Sequence, residues 1–129
     1  NPDAGFRMRY FDLQALRFAL DETPENDREP MLRRLAGALK TPGLCDLVID
    51  ELRKRGAWSN LEGVLALHDE PQFDTPVIRR SVVRFAIECP GEKSGEYVRR
   101  IRATDARFIE EVEESLRFEK QLEAQFSTP

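Results

Sequence analysis

Adjacent arginines recur along the chain, and they are the residues whose type and spacing could do chemistry. The pairs are Arg33-Arg34, Arg79-Arg80 and Arg99-Arg100. A guanidinium group stays charged at any ordinary pH and presents a rigid fork of donors that suits carboxylates and phosphates. Pairs brought together on neighbouring helices would form a basic strip for an acidic peptide or a phosphate group. The candidate partner-binding residues on this interpretation are Arg34, Arg80, Arg84 and Arg100.

The same arginines could instead be held by carboxylates of their own chain, because charges near a core are usually paired. Asp74 precedes Arg79 by five residues, and Asp27 and Glu29 precede Arg33 by six and four. This spacing favours internal ion pairs for the first arginine of each pair. We therefore expect Arg79 to bind Asp74, and Arg33 to bind Asp27 or Glu29. The four candidate residues are then freer to bind a partner.

Soft metal ligands are few and scattered: Cys45, Cys89 and His68. A structural zinc site takes four such ligands, commonly with two of them in a Cys-x-x-Cys pair. The sequence therefore predicts no metal and no cofactor, and we expect both cysteines to be buried as small hydrophobic residues. A disulfide between them depends on the distance between their Cβ atoms, so it is left open.

No set of catalytic residues is evident. Nucleophilic catalysis needs a nucleophile, a base and usually a third group that orients the base. The single histidine, His68, lies in a polar turn, where a cation at a helix end is favoured by the helix dipole. The glutamates at 110–114 flank Val112 in the manner of a solvated helix face. We therefore expect no enzyme and no catalytic residue.

Composition limits the function classes. The chain has 129 residues, 40% hydrophobic and 34% charged, which is enough for one folded domain with a core. Its net charge of -4 argues against a nucleic-acid-binding domain, which would be strongly basic. Sixteen arginines against four lysines favour fixed arginine–carboxylate contacts. No apolar run has the length of a membrane span, and no signal indicates a compartment.

Apolar residues at three- and four-residue steps predict an all-α domain of seven helices joined by short polar turns. The first helix, at about residues 6–21, has two apolar stripes, so we expect it to pack on two sides. One stripe holds Phe6, Tyr10, Leu13, Leu16 and Leu20, and the other holds Phe11, Ala15, Phe18 and Ala19. The later helices are expected at about residues 31–39, 44–55, 58–68, 76–89, 94–103 and 106–125.

Helix ends are marked by capping residues and by proline or glycine. Thr75 can cap the fifth helix, with Pro76 in its first turn. Ser59 and Glu62 have the spacing of a capping box at the start of the fourth helix. The third helix ends after the cationic run at 53–55, which suits the negative end of the helix dipole.

Two parts of the chain repeat each other. Residues 30–34 and 76–80 both read proline, two apolar residues and two arginines, at a spacing of 46 residues. The predicted repeat unit has three helices and occurs twice, at about residues 6–55 and 57–103. A terminal helix at 105–126 begins a third copy. The whole chain is then a single helical-repeat domain. Periods of about 40–47 residues with two or three helices are typical of HEAT and armadillo arrays.

One helix carries the likeness to a known family. Residues 74–86 resemble the second helix of a HEAT unit, with an acid in the turn and Val77, Ile78 and Arg79 just inside the helix. The chain therefore resembles HEAT/armadillo-like α-solenoid proteins of bacterial type. The resemblance implies a short right-handed solenoid with a scaffold role and brings no catalytic residue. The third helices, at 44–55 and 94–103, depart from a two-helix unit, so the helices that line the concave face stay open.

The last helix ends in an apolar stripe of Phe118, Leu122 and Phe126, at four-residue steps in a polar context. If the helix outruns the body of the domain, the stripe is exposed and becomes a docking face. It could then meet the next helix of an intact protein or a second copy in a homodimer. The alternative is that the stripe folds back on its own domain.

These patterns favour a non-enzymatic scaffold that binds a protein or peptide, with an acidic partner as one option. The alternative is a regulatory or substrate-presenting segment of a multidomain enzyme whose chemistry lies elsewhere. The chain begins at Asn1 and not at a methionine, so we expect a fragment of a longer protein or a mature form. Neither nucleic-acid binding nor membrane insertion is expected.

Overall fold

The computed structural model of the protein describes residues 9–127, so Phe6 lies outside the described residues. Within that range the chain forms seven α-helices and no β-strand, which confirms the predicted all-α class. None of these helices is long and apolar enough to cross a membrane. The helices are α1 Tyr10–Glu22, α2 Glu29–Gly37, α3 Cys45–Lys54, α4 Leu61–Ala66, α5 Pro76–Glu88, α6 Glu92–Thr104 and α7 Ala106–Ser127.

Helix α5 is the centre of the packing. It contacts α3, α4, α6 and α7, and its interface with α3 is the most extensive one between any two helices described. Val83 and Phe85 of α5 are fully buried, as are Ile49 and Leu52 of α3. The ring of Trp58 packs edge-on against Phe85, with 5.1 Å between centroids. Edge-to-face pairs of this kind add to the free energy gained from burial.

The start of α5 follows its local sequence. Thr75 Oγ1 accepts a hydrogen bond from the backbone N–H of Ile78 at 3.3 Å, and Pro76 occupies the first turn, as predicted. The bond satisfies one of the backbone donors that a helix start leaves free. At the end of α3, Gly56 has a φ of 66°, a conformation that suits glycine.

The capping box predicted for Ser59 and Glu62 is wrong. Ser59 lies in a 3-10 turn, and α4 begins two residues later, at Leu61, without a side-chain cap. The turn moves the helix start past the serine, so Ser59 does not occupy the capping position. Glu62 forms an ion pair with Lys93 of α6 instead.

Helix α1 packs on one side only, so the predicted two-sided packing is wrong. Leu13 and Leu20 are buried, whereas Phe11 is 77% and Phe18 is 68% exposed. Tyr10, which the sequence placed in the same stripe as Leu13 and Leu20, is also exposed. Helix α2 covers the inner face of α1, and no described helix covers the outer one. The second apolar stripe of α1 therefore faces solvent.

Ion pairs connect the C-terminal end of α3 to α1. The carboxylate of Glu51, a buried residue, lies 3.0 Å from Nε of Arg17 and 2.8 Å from Nη2 of Arg55. Arg55 also binds Asp21 of α1 at 2.7 Å. These contacts pair the buried carboxylate with two cations, which is what a charge in a protein interior requires.

The other side of the same helix end joins α5 and α7. The Arg53 side chain is 3% exposed and binds Glu88 of α5 at 2.6 Å and Glu119 of α7 at 2.9 Å. Burial opposes its charge, but the hydrogen bonds to Glu119 and Glu88 outweigh that effect and raise the pKa of Arg53. The sequence indicated only that Arg53 is favourably placed at the negative end of a helix dipole. In the structure its buried side chain links α3 to α5 and α7 through ion pairs.

Candidate functional site

The first arginine of two pairs is held by its own chain, as predicted. Arg79 forms an ion pair with Asp74, and the hydrogen bond from Arg79 lowers the pKa of the Asp74 carboxyl. Nη2 of Arg33 lies 3.6 Å from Oε1 of Glu29, one turn earlier in α2. Both expected internal pairs are therefore confirmed. All four side chains are between 43% and 77% exposed, so each pair contributes little to stability.

Arg34 has an interaction within the chain as well. It lies on α2 and is exposed. The pKa of Asp12 on α1 is lowered chiefly by a hydrogen bond from Arg9 and more weakly by the charge of Arg34. Arg34 is therefore not free of internal contacts, although its exposure leaves it accessible to a partner.

Arg84 is a structural residue, and the expectation that it is free is wrong. Its side chain is 23% exposed, and Nη1 lies 3.8 Å from Oδ2 of Asp50 on α3. Its Nε is 3.4 Å from Oγ of Ser115 on α7. The sequence could not show this, because the contacts come from packing α5 between α3 and α7.

The predicted basic strip is not assembled by the packing. Helix α2, with Arg34, packs on α1 and α3, whereas α5, with Arg80, packs on α3, α4, α6 and α7. Helices α2 and α5 share no extensive contact, because α3 packs against both. Arg80 is exposed and has no ion-pair partner among the residues described. It is the candidate arginine with the fewest internal contacts.

Arg100 lies at a cleft between the end of α4 and one face of α6. Its guanidinium carbon is 6.0 Å from the centre of the Tyr97 ring, within range of a cation–π contact. The cleft has a volume of about 470 Å³, and Arg100, Lys93 and His68 are the basic residues among its lining. It thus combines cationic side chains with a defined concave space.

Tyr97 and His68 meet beside this cleft. The Tyr97 hydroxyl is 3.5 Å from Nδ1 of His68, and the two rings pack edge-on with 5.9 Å between centroids. Burial raises the pKa of Tyr97, so its hydroxyl stays protonated and able to donate at neutral pH. The sequence missed this pair because 29 residues separate its members. No local pattern brings them together, since His68 lies in the 3-10 turn after α4, and this turn and α6 both pack against α5.

The apolar stripe of α7 is exposed in the structure. Phe118 is 60%, Leu122 38% and Phe126 84% exposed. Leu116 is buried in the core, and a step of two residues turns a helix by about 200°, so Phe118 points away from the domain. The alternative that the stripe folds back on its own domain is therefore wrong.

The cysteines are buried and carry free thiols. Cys45 is 2% and Cys89 7% exposed, and neither forms a disulfide. Both are packed in the core as small hydrophobic residues, as predicted. Burial raises the pKa of the Cys45 thiol to about 12. Among the described residues, no group of three or more histidine, cysteine, aspartate or glutamate side chains could hold a metal ion.

Comparisons of the chain with protein-family models, curated proteins and solved structures found no match. The features of the chain that bear on function are the uncovered apolar stripes, the exposed arginines and the cleft beside Tyr97.

Proposed function

We propose that the chain is a non-enzymatic protein-interaction scaffold, a short right-handed helical array of HEAT/armadillo type. In this proposal α1–α3 and α4–α6 are two units, and α7 is the first helix of a third. One observation carries the proposal: the outer faces of the first and last helices both expose an apolar stripe. In stacked helical repeats, each unit leaves one apolar face for its neighbour to cover.

The stripe on α1 supports this proposal through its spacing. Phe11, Ala15 and Phe18 are separated by four and three residues, so they share one face of the helix. The opposite face holds Leu13 and Leu20 in the core. Covering one large apolar side chain stabilises an assembly by roughly 1.5–3 kcal/mol. Two exposed phenylalanines in register are therefore a strong site for association.

The stripe on α7 supports a more specific partner, a second copy of the chain. Two-fold symmetry with antiparallel helices centred on Leu122 places Phe118 of one copy opposite Phe126 of the other. Every member of the stripe is then covered by an apolar residue, which is the self-complementarity that a two-fold interface needs. The neighbouring charges are of both signs, Arg117 and Lys120 against Glu119 and Glu123, so no net repulsion opposes the pairing.

Sedimentation equilibrium across protein concentration tests the association. We expect reversible dimers, and we expect Leu122→Glu to weaken them by about 2 kcal/mol, because the new carboxylate would be buried at the centre of the interface. Gln121→Glu is the matched control, since it adds the same charge to the neighbouring exposed position, off the stripe. It should leave the dimer almost unchanged.

Two results would contradict the proposal. A wild-type chain that stays monomeric to about millimolar concentration, where even weak dimers form, would exclude a second copy as the occupant of α7. Equal weakening by both substitutions would show that net charge, and not the stripe, controls association.

A further inference from the structure

The cleft between α4 and α6 carries an arrangement of groups that the scaffold role does not use. Its volume of about 470 Å³ falls within the range of small-ligand sites, roughly 300–1,000 Å³. No lining residue belongs to the stripes on α1 and α7. The cleft is therefore separate from the proposed association surfaces, and a ligand could bind there whether or not the chain associates.

Several lining residues of α6 share one face of the helix. Lys93, Tyr97, Arg100 and Thr104 are separated by four, three and four residues, so all four lie on one helical face. Lys93 and Arg100 are two turns apart, about 10 Å along the axis. Tyr97 lies between them along the helix, but it is buried, and its hydroxyl is 3.5 Å from Nδ1 of His68. This face therefore presents two cations to one space.

Part of the lining is apolar. We call these residues, Leu65 and Ala66 of α4 and Ile101 of α6, the floor of the cleft. An inorganic anion would gain nothing from such a floor, whereas a ligand with an aliphatic part next to its negative charge would cover it. The floor thus favours an amphipathic anion over a bare one.

The charges around the cleft single out Arg100 as the anchor. Lys93 is engaged by Glu62, and the cleft also contains one carboxylate, Asp69. Arg100 has no carboxylate partner among the residues described, and its guanidinium carbon lies 6.0 Å from the centre of the Tyr97 ring. A guanidinium held over an aromatic ring keeps its outer edge available for a bidentate pair with a carboxylate.

We propose that this cleft binds an acidic peptide segment, in which one carboxylate pairs with Arg100 and an adjacent aliphatic side chain covers the floor. Lys93 is already paired with Glu62, so it adds general attraction for acidic segments. Tyr97 and His68 also line the site.

The test uses two capped dipeptides that differ only in charge, acetyl-Leu-Glu-amide and acetyl-Leu-Gln-amide, with inorganic phosphate as a third probe. Binding is followed by amide chemical shifts of the ¹⁵N-labelled chain. We expect the glutamate peptide to shift residues 65–69 and 93–104 and to bind at least about fivefold more tightly than either other probe. Equal affinity for the glutamine peptide or for phosphate would overturn the proposal.

Matched variants locate the binding. Arg100→Glu should weaken the glutamate peptide by at least about fivefold, whereas Arg99→Glu, the same change at the adjacent exposed position outside the cleft, should not. Equal losses in both variants would mean diffuse attraction and would also overturn the proposal. Ala66→Phe fills the floor without changing charge and should abolish binding. Because Arg100 and Ala66 are both exposed, circular dichroism should show unchanged helix content in each variant.

Discussion

Two regions of the molecule reverse the usual placement of residue types, and they do so for different reasons. The end of α3 buries charge: Glu51 and Arg53 are each 5% exposed. The outer faces of α1 and α7 expose aromatic rings, with Phe11 77% and Phe126 84% exposed. Helix α3 has neighbours on both sides, so its charges must find partners. Helices α1 and α7 are first and last, so their outer apolar faces have no neighbour within the described chain.

The contrast between these regions separates stability from binding. A buried charge whose partner is removed costs several kcal/mol, because the group that stays behind has lost both water and its counter-charge. An exposed phenylalanine contributes almost nothing to the folded monomer, since it is hydrated before and after folding. Substitutions at the end of α3 should therefore change the free energy of unfolding. Substitutions in the stripes should change association alone.

The largest effect is expected from Arg53→Ala. It removes the cation that joins Glu88 and Glu119 and leaves these carboxylates close together, so we expect a loss of about 3 kcal/mol in the free energy of unfolding. Lys54→Ala removes the same charge from the next residue, which is exposed, and should cost less than about 0.5 kcal/mol. Urea unfolding of both variants measures the difference. Similar losses would refute the structural role of Arg53.

Smaller changes in the free energy of unfolding are expected when Glu88 or Asp50 loses its charge, and the two changes should have opposite signs. Burial opposes the charge of Glu88, but hydrogen bonds from Arg53 and Lys120 outweigh it and lower the pKa of Glu88. Burial raises the pKa of Asp50 above its ordinary value of 3.8, despite the nearby charges of Arg53 and Arg84. Oδ1 of Asp50 is buried and accepts no hydrogen bond from any described group.

The pH dependence follows from these directions. The stabilisation from Glu88 is complete above the ordinary glutamate pKa and is lost as pH falls through the lowered value. For Asp50, stability decreases as pH rises from 3.8 through the raised value, because the folded protein disfavours the charged form. At pH 7, Glu88→Gln should therefore lower the free energy of unfolding by about 1 kcal/mol. Asp50→Asn should raise it by up to about 0.5 kcal/mol.

Unfolding curves at pH 7 and near pH 3 check this pair of variants. Both differences from wild type should shrink at the lower pH, because the stabilisation from Glu88 is lost, and the cost of the Asp50 charge is relieved, as pH falls. A destabilised Asp50→Asn variant at pH 7 would show that its ion pairs outweigh the cost of burying the charge.

The smallest effect on stability is expected from Phe18→Gln, on the outer face of α1. The side chain is 68% exposed, so the free energy of unfolding should change by less than about 0.5 kcal/mol. Leu20→Gln, on the inner face of the same helix, should instead cost about 3 kcal/mol or more, because Leu20 is fully buried. Thermal unfolding of the two variants gives the comparison. A large loss from Phe18→Gln would mean that the outer face is covered.

The sequence predicted those features of the structure that depend on residues close together in the chain. Thr75 and Pro76 fix the start of α5 through one capping hydrogen bond and one restricted φ, and both act within a single turn. The pairing of Arg79 with Asp74 spans five residues and was predictable for the same reason. The spacing of Phe118, Leu122 and Phe126 also identified a stripe that could be exposed.

The remaining features depend on which helices are neighbours. Periodicity showed that α1 has two apolar stripes, but it cannot show whether a second helix covers Phe11 and Phe18. Arg53 and Glu119 are 66 residues apart, and only the packing of α7 on α5 brings them together. Arg84 looked free for the same reason. Burial of a charged residue is a property of the assembled helices, and one sequence contains no local signal for it.

The rate at which the free thiols of Cys45 and Cys89 react with a reagent would report how often the buried core opens to solvent. A thiolate is the reactive form, and with a pKa of about 12 almost none of Cys45 is thiolate at neutral pH. Alkylating reagents can therefore modify this residue only during excursions that bring it into water. Cys45 begins α3 and Cys89 follows α5, so the two labelling rates would time the separation of the central helix pair without any added probe.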